Sequence, residues 1–293
     1  VVDQNRKTYG NFVLTGSTQF TFLKSASESL AGRIGLISLL PFQYQEMPKA
    51  LTQESIFRGA YPELVMRDYF ESNLWYSSYV DTYLHKDLRT LANVGDLRDF
   101  RRLIQLLAAH VSQTLDMSHY AKNIGVSVPT IKRWLSILEA SYVLFLLPPY
   151  FKNLGNRIVK SPKIYFYDTG LVSYLTGIDS FDQYDKGPLA GPIFENYIIS
   201  EIYKKELHTA SDASLYYLRT QDKSEVDLII DRKNRQEWFE IKKSSTLKPD
   251  MLKTLRSYQK EAHASFLIYQ GKKESYQGIQ ITPFEDYLMG EFD

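Results

Sequence analysis

Apolar positions fall into short runs separated by Gly, Pro and polar clusters, a pattern of mixed strands and helices. Residues 11–17 (NFVLTGS) read as a buried strand ending in a polar, Gly-containing loop. A helix is predicted over 19–31, closed by Gly32, and a second strand over 34–40 stops at Pro41. From 62 to 112, Tyr, Leu and Ile recur at three- and four-residue spacing, which predicts helix. Pro148-Pro149 and Gly155-Asn156 punctuate a β-rich region containing YVLFLL (142–147) and KIYFYD (163–168). A polar, Gly-containing link over 179–191 leads into a final unit that reads α-β-β-β-α-β.

One stretch carries a helix-turn-helix pattern. Residues 118–123 fit a short helix, Gly125 a turn, and Ser127 the N-cap of a second helix running to Ser141. Ile131, Leu135 and Leu138 make its buried stripe and leave Thr130, Lys132, Arg133 and Ser136 facing outward. A buried back with a hydrogen-bonding, cationic front is what a DNA-recognition helix needs. The hairpin that follows carries Lys152, Arg157, Lys160 and Lys163, placed to touch phosphates as a wing would. Small helical domains that bind protein use the same layout.

The final unit carries an acid and lysine constellation. Pro192 marks the expected start of a helix, with Glu195 in its first turn beside Ile198, Ile199 and Ile202. An ionised carboxylate on an apolar stripe is costly without a partner. Asp227 is embedded in the strand SEVDLIID, and in EWFEIKKS the residues Trp238, Glu240 and Lys242 share one face. Two carboxylates, Asp227 and Glu240, can hold Mg²⁺ or Mn²⁺, hard cations that prefer oxygen ligands. The metal activates water and polarises a phosphoryl oxygen, and Lys242 can steady the developing charge. The same residues also allow a salt-bridged strand pair, with Lys242 and Lys243 balancing the acids.

Composition narrows the partners. With 293 residues, 44% of them apolar, the chain has room for two or three cores. Lys and Arg number 35 against 34 Asp and Glu, so nucleic acid must be held by local patches rather than a global field. The absence of cysteine excludes disulfides and thiolate-bound zinc and fits a cytoplasmic location. No run approaches the roughly 20 apolar residues that span a bilayer, and the mixed, polar first dozen residues do not read as a signal peptide. The chain opens Val1-Val2-Asp3 and runs at once into an apolar strand, which leads us to expect the C-terminal portion of a longer protein.

Glu195, Asp227 and Glu240-Ile241-Lys242, in this order over residues 188–270, resemble the PD-(D/E)xK nuclease superfamily, with Val226-Asp227 in place of its Pro-Asp pair. The resemblance implies Asp227 and Glu240 as metal ligands, Lys242 as the catalytic lysine and Glu195 as the helix acid. FVLTGS (12–17), SESLAGR (27–33), GAYPE (59–63), YVDTYLHKDL (79–88) and KIYFYDTGL (163–171) resemble a prokaryotic AAA+ ATPase family. In that family a winged helix and a nuclease-like domain of unknown function follow the ATPase core. This resemblance implies nucleotide sensing by Thr15 or Ser17 and by Arg33. It also implies DNA as partner, with a protein partner or self-association through the ATPase core. No G-x-x-x-x-G-K-[ST] motif occurs here, so ATP binding is expected only with a region upstream. The expected fold is a multidomain α/β chain: an AAA+ remnant over 1–48, a helical lid or linker over 49–105, a winged helix-turn-helix over 106–185, and a restriction-endonuclease-like α/β domain over 186–293. The expected activity is Mg²⁺-dependent phosphodiester hydrolysis. The alternative is a nuclease fold kept as a docking module for DNA or protein.

Overall fold

The computed structural model describes residues 37–84, 97–150 and 160–290, except 223, together with Val13 and Gly35. Residues 37–293 form one compact unit, apart from a first unit spanning 1–36. Thr15, Ser17, Arg33, Lys152 and Arg157 lie outside the described residues, as do the helix expected over 19–31 and, apart from Val13, the strand expected over 11–17; Val13 is exposed and in no strand. The strand expected over 34–40 is corrected: residues 37–40 form neither strand nor helix, and Ile37 and Leu39 are exposed.

The long helical stretch is broken. After α1 (Thr52–Arg58), α2 (Pro62–Val65) and α3 (Ser72–Ser78) are separated by Asp68, Tyr69 and Glu71, all at positive φ. Non-glycine residues adopt that region only in turns, so one helix cannot run through. A π-helical turn follows at Tyr79–Leu84. Helix α4 (Leu97–Ala109) then crosses the boundary drawn between 105 and 106, because Leu103, Ile104, Leu107 and Ala108 continue one buried stripe.

Next come α5 (Met117–Ile124) and α6 (Val128–Ala140), with Gly125 at φ 88 closing the first. Ser127 accepts the Thr130 N–H and caps the second. Strands β1 (Leu144–Leu147) and β2 (Lys163–Phe166) pair antiparallel, and Thr114 bridges to Lys163. Two of the distinctive sequence strings then meet. Asp168 caps α7 (Thr169–Thr176), and its carboxylate accepts the Ala60 N–H at 2.7 Å and the Tyr76 hydroxyl at 2.8 Å. Gly170 packs so closely on the Arg58 carbonyl that a Cβ has no room.

Helix α8 (Phe181–Lys186) leads to α9 (Ala190–His208), which begins two residues before the expected Pro192. Proline is tolerated there because first-turn N–H groups have no helical acceptor. Helix α9 is buried on nearly all sides, even at Glu201 and Lys204, which pair with each other. A six-stranded sheet follows, with β3 (Ser214–Arg219), β4 (Glu225–Asp231), β5 (Gln236–Ile241), β6 (Ala264–Tyr269), β7 (Glu274–Tyr276) and β8 (Ile279–Pro283). Its order is β3-β4-β5-β6-β8-β7, antiparallel from β3 to β5 and parallel from β5 through β6 to β8. The parallel β5-to-β6 crossover holds a 3-10 turn (Pro249–Leu252) and α10 (Lys253–Ser257), and α11 (Phe284–Met289) ends the fold. Leu228, Ile230, Phe239 and Ile241 enter the core shared with α9, whereas Ile229 and Trp238 enter a second core with Leu252 and Leu255.

Candidate functional site

The register of β4 on β5 pairs Leu228 with Phe239 and Ile229 with Trp238. Continuing it one step sets Asp227 opposite Glu240, and in an antiparallel pair such residues project from the same face. Both side chains are buried. Asp227 accepts the Ile241 N–H through Oδ2 at 2.8 Å, and the Lys242 ammonium reaches the same oxygen at 3.5 Å. Lys242 also contacts Glu240 Oε1 at 2.5 Å. One ammonium thus serves two carboxylates. Glu240 Oε2 is buried and has no hydrogen-bond partner.

Electrostatics follow from this crowding. Burial, and then repulsion from Asp227, push the Glu240 carboxyl up to about 8, against the pull of Lys242. Burial pulls the Lys242 ammonium down, but Asp227 and Glu240 more than offset this and hold it above its ordinary range. Lys242 is 37% exposed and lines an open cleft of about 500 Å³. Glu195, Pro192, Lys243, Ser244 and Met251 share that lining, as do residues 111–113 just before α5.

Glu195 stands on α9, and its Oε1 is already engaged. Lys163 Nζ approaches it at 2.8 Å and the Tyr165 hydroxyl donates to it at 2.6 Å. The Lys163 ammonium also contacts Glu225 Oε1 at 2.5 Å. Burial raises the Glu195 carboxyl, the Lys163 ammonium lowers it, and Asp227 raises it further, with an upward net shift. Lys163 is 1% exposed, which corrects its expected role in the wing: it cannot touch a phosphate. A lysine and a tyrosine two apart on an otherwise apolar strand signalled this in the sequence, since a buried ammonium must find an anion. Asn196 completes the seam, exchanging two hydrogen bonds with the Phe166 backbone at 2.7 and 2.9 Å.

The structure therefore brings Asp227, Glu240 and Lys242 together and sets Glu195 on the same cleft as Lys242, clamped from outside the C-terminal unit. Among the described residues no group of three or more His, Asp or Glu side chains is placed to hold a metal ion. On α6, Lys132, Arg133 and Ser136 are exposed and Thr130 half-buried, while Ile131, Trp134, Leu135, Ile137 and Leu138 are buried. No helix of the described residues is long and apolar enough to cross a membrane.

Comparison with known proteins agrees in outline. The family model for an AAA domain matches residues 1–48. Two domains of unknown function, DUF8612 and DUF4143, match residues 49–182 and 190–287. At a coarse level, then, the first 48 residues are similar to an AAA-type domain. Uncharacterized proteins of Mycobacterium tuberculosis and Mycobacterium bovis are each 32% identical over 247 residues, covering 84% of this chain and 55% of their own. An uncharacterized protein of Haemophilus influenzae is 22% identical over 303 residues, covering 95% of this chain and 71% of its own. The chain spans about half the length of the mycobacterial relatives it matches. No solved structure matches it.

Proposed function

We propose that residues 186–293 form a divalent-metal-dependent, nuclease-like site acting on the phosphodiester backbone of DNA, delivered by a winged helix-turn-helix within an AAA-type ATPase. The observation that carries this reading is the cross-strand pair Asp227 and Glu240 on one ammonium, with Glu240 Oε2 buried and unpartnered. That oxygen, beside a second carboxylate, suits a hard cation, and Mg²⁺ commonly takes only one or two protein carboxylates and keeps its waters. Asp227 and Glu240 would hold it. The cation supplies Lewis acidity and a more acidic bound water.

The chain's own residues do the rest. Lys242, released from the carboxylates, reaches the cleft and balances negative charge growing on a phosphate oxygen. Glu195 contributes its second oxygen to the cleft wall, its first being held by Lys163 and Tyr165. Lys132 and Arg133 meet phosphates or bases from the exposed face of α6. The succession of three helices and an antiparallel strand pair over 97–166 supports the winged-helix reading. The order α9-β3-β4-β5-α10-β6, antiparallel then parallel, supports the restriction-endonuclease-like one. Thr15 or Ser17, together with Arg33, would sense nucleotide held by an AAA-type core.

The docking-module reading has two observations in its favour: Lys163 and Lys242 already neutralise much of the acid cluster, and among the described residues no group of three or more His, Asp or Glu side chains is placed to hold a metal ion. Thermal unfolding with added Mn²⁺ separates the two. The site reading expects the melting temperature to rise with Mn²⁺ and the rise to vanish in Asp227→Asn. Lys242→Ala should keep the rise and lose Mn²⁺-dependent nicking of plasmid DNA. A wild-type chain whose melting ignores Mn²⁺ and Mg²⁺ at millimolar concentration would refute the metal site and leave the docking module.

A further inference from the structure

Most cations in the described residues are spoken for. Arg58, Arg67, Arg101, Lys186, Arg219, Arg232, Lys233 and Arg235 all sit in ion pairs, as do the buried lysines. Most of the side chains left without an anionic partner among the described residues belong to two stretches of the fold. Lys122, Lys132, Arg133 and Lys160 belong to the helix-turn-helix and its hairpin. Lys248, Lys253, Arg256 and Lys260 belong to the crossover between β5 and β6, and all four are exposed. Lys49 and Lys272 lie elsewhere. Asp250 and Glu261 only partly offset the second group, so this short stretch is more positive than the whole chain at +1.

The cleft draws its lining from the neighbourhoods of both groups. Residues 111–113, which precede the helix-turn-helix, line it together with Lys242, Lys243, Ser244 and Met251, the last of these at the start of the crossover. Past Met251 the crossover turns its apolar face inward at Leu252 and Leu255 and leaves Lys253 and Arg256 on a shallow groove with Pro249, Asp250 and Ser257. Arg256 also lies over the ring of Tyr276, 6.0 Å from its centroid, and Tyr276 is exposed. Unneutralised cations beside an exposed aromatic ring match a strand of nucleic acid, whose phosphates release counterions to cations and whose bases stack on rings.

We infer that Lys248, Lys253, Arg256 and Lys260 form a second nucleic-acid surface, which grips the phosphodiester backbone where it leaves the cleft on the side away from the helix-turn-helix. This inference rests on the DNA-directed reading of the site. It makes the cleft the middle of the bound strand, with one cationic group upstream and one downstream.

Affinity of the full chain for labelled duplex and single-stranded oligonucleotides, measured across a salt series, tests it. The slope of log K against log salt changes by about 0.9 for each duplex phosphate contact. Substituting Gln at Lys248, Lys253, Arg256 and Lys260 should flatten the slope by about 2–4 and weaken binding at low salt at least tenfold. Gln at Lys49 and Lys272 should change neither. The quadruple variant should melt like wild type and keep any Mn²⁺ response, since all four side chains are exposed. Wild-type slope and affinity in the quadruple variant would overturn the surface while leaving the site reading intact. Polyglutamate competing as well as DNA of equal charge would overturn a nucleic-acid partner in favour of an acidic protein. Failure of the wild-type chain to bind any oligonucleotide would refute DNA as the partner for site and surface alike.

Discussion

Lys163→Met keeps the length of a buried side chain and removes the charge shared by Glu195 and Glu225. Removing one partner of a buried pair typically costs about 3–5 kcal/mol, because the remaining charge is left without compensation. Here the lower end applies: Glu195 keeps the Tyr165 hydroxyl, and Glu225 keeps Arg219 at 3.3 Å and is 25% exposed. The expected loss is about 3 kcal/mol, a fall in melting temperature of roughly 6–12 °C at the usual 2–4 °C per kcal/mol for a unit of this size. Urea unfolding can be followed through tryptophan emission, since Trp134 reports on α6 and Trp238 on β5. Adding Glu195→Gln and Glu225→Gln to Lys163→Met should restore most of the loss, because the stranded charges are gone. A loss below 1 kcal/mol, or a triple variant no better than the single, would show that the ion-pair seam does not hold these elements together.

Three more outcomes follow from the same structure. The Glu240 carboxyl, raised from 4.5 to about 8, makes the metal-free folded state bind a proton that the unfolded chain releases. Its contribution is full below pH 4.5 and lost as pH rises through about 8. Glu240→Gln should therefore gain stability over wild type between pH 5 and 9 in EDTA, and an equal margin at both ends would contradict the assignment. Lys132→Ala with Arg133→Ala should weaken duplex binding and reduce its salt slope by about 1–2. An unchanged gel-shift series would assign α6 to protein contact. Gly170→Ala forces a Cβ onto the Arg58 carbonyl and should cost more than about 2 kcal/mol, whereas Gly191→Ala, which meets nothing, should be near neutral. Equal melting of the two variants would argue against the tight Asp168 junction.

Local chemistry made some of this legible and left the rest hidden. The Ser127 cap and the Gly125 turn depend on residues within a few positions, so both can be read from the chain alone. Asp227 facing Glu240 follows from two-residue periodicity once β4 and β5 pair antiparallel, and that pairing needs only the short connection between them. Lys163 is the opposite case. Its partners lie 32 and 62 residues further along, so its sequence neighbourhood shows a basic hairpin and its three-dimensional one a buried ion pair. The expected strand over 34–40 shows the same limit: an apolar run does not by itself make a strand, and Ile37 and Leu39 are exposed.

The edges of the six-stranded sheet carry one more consequence. At β3, the Tyr150 N–H donates to Tyr217 O at 2.8 Å and the Tyr217 N–H to Pro148 O at 3.0 Å, so the segment with two prolines covers that rim. At the far rim, β7 has only three residues, all exposed; it begins with Glu274 and is preceded by Lys272 and Lys273. A covered rim and a short, charged one give a second copy little backbone to pair with. Strand-by-strand polymerisation through this sheet is therefore discouraged at both of its rims.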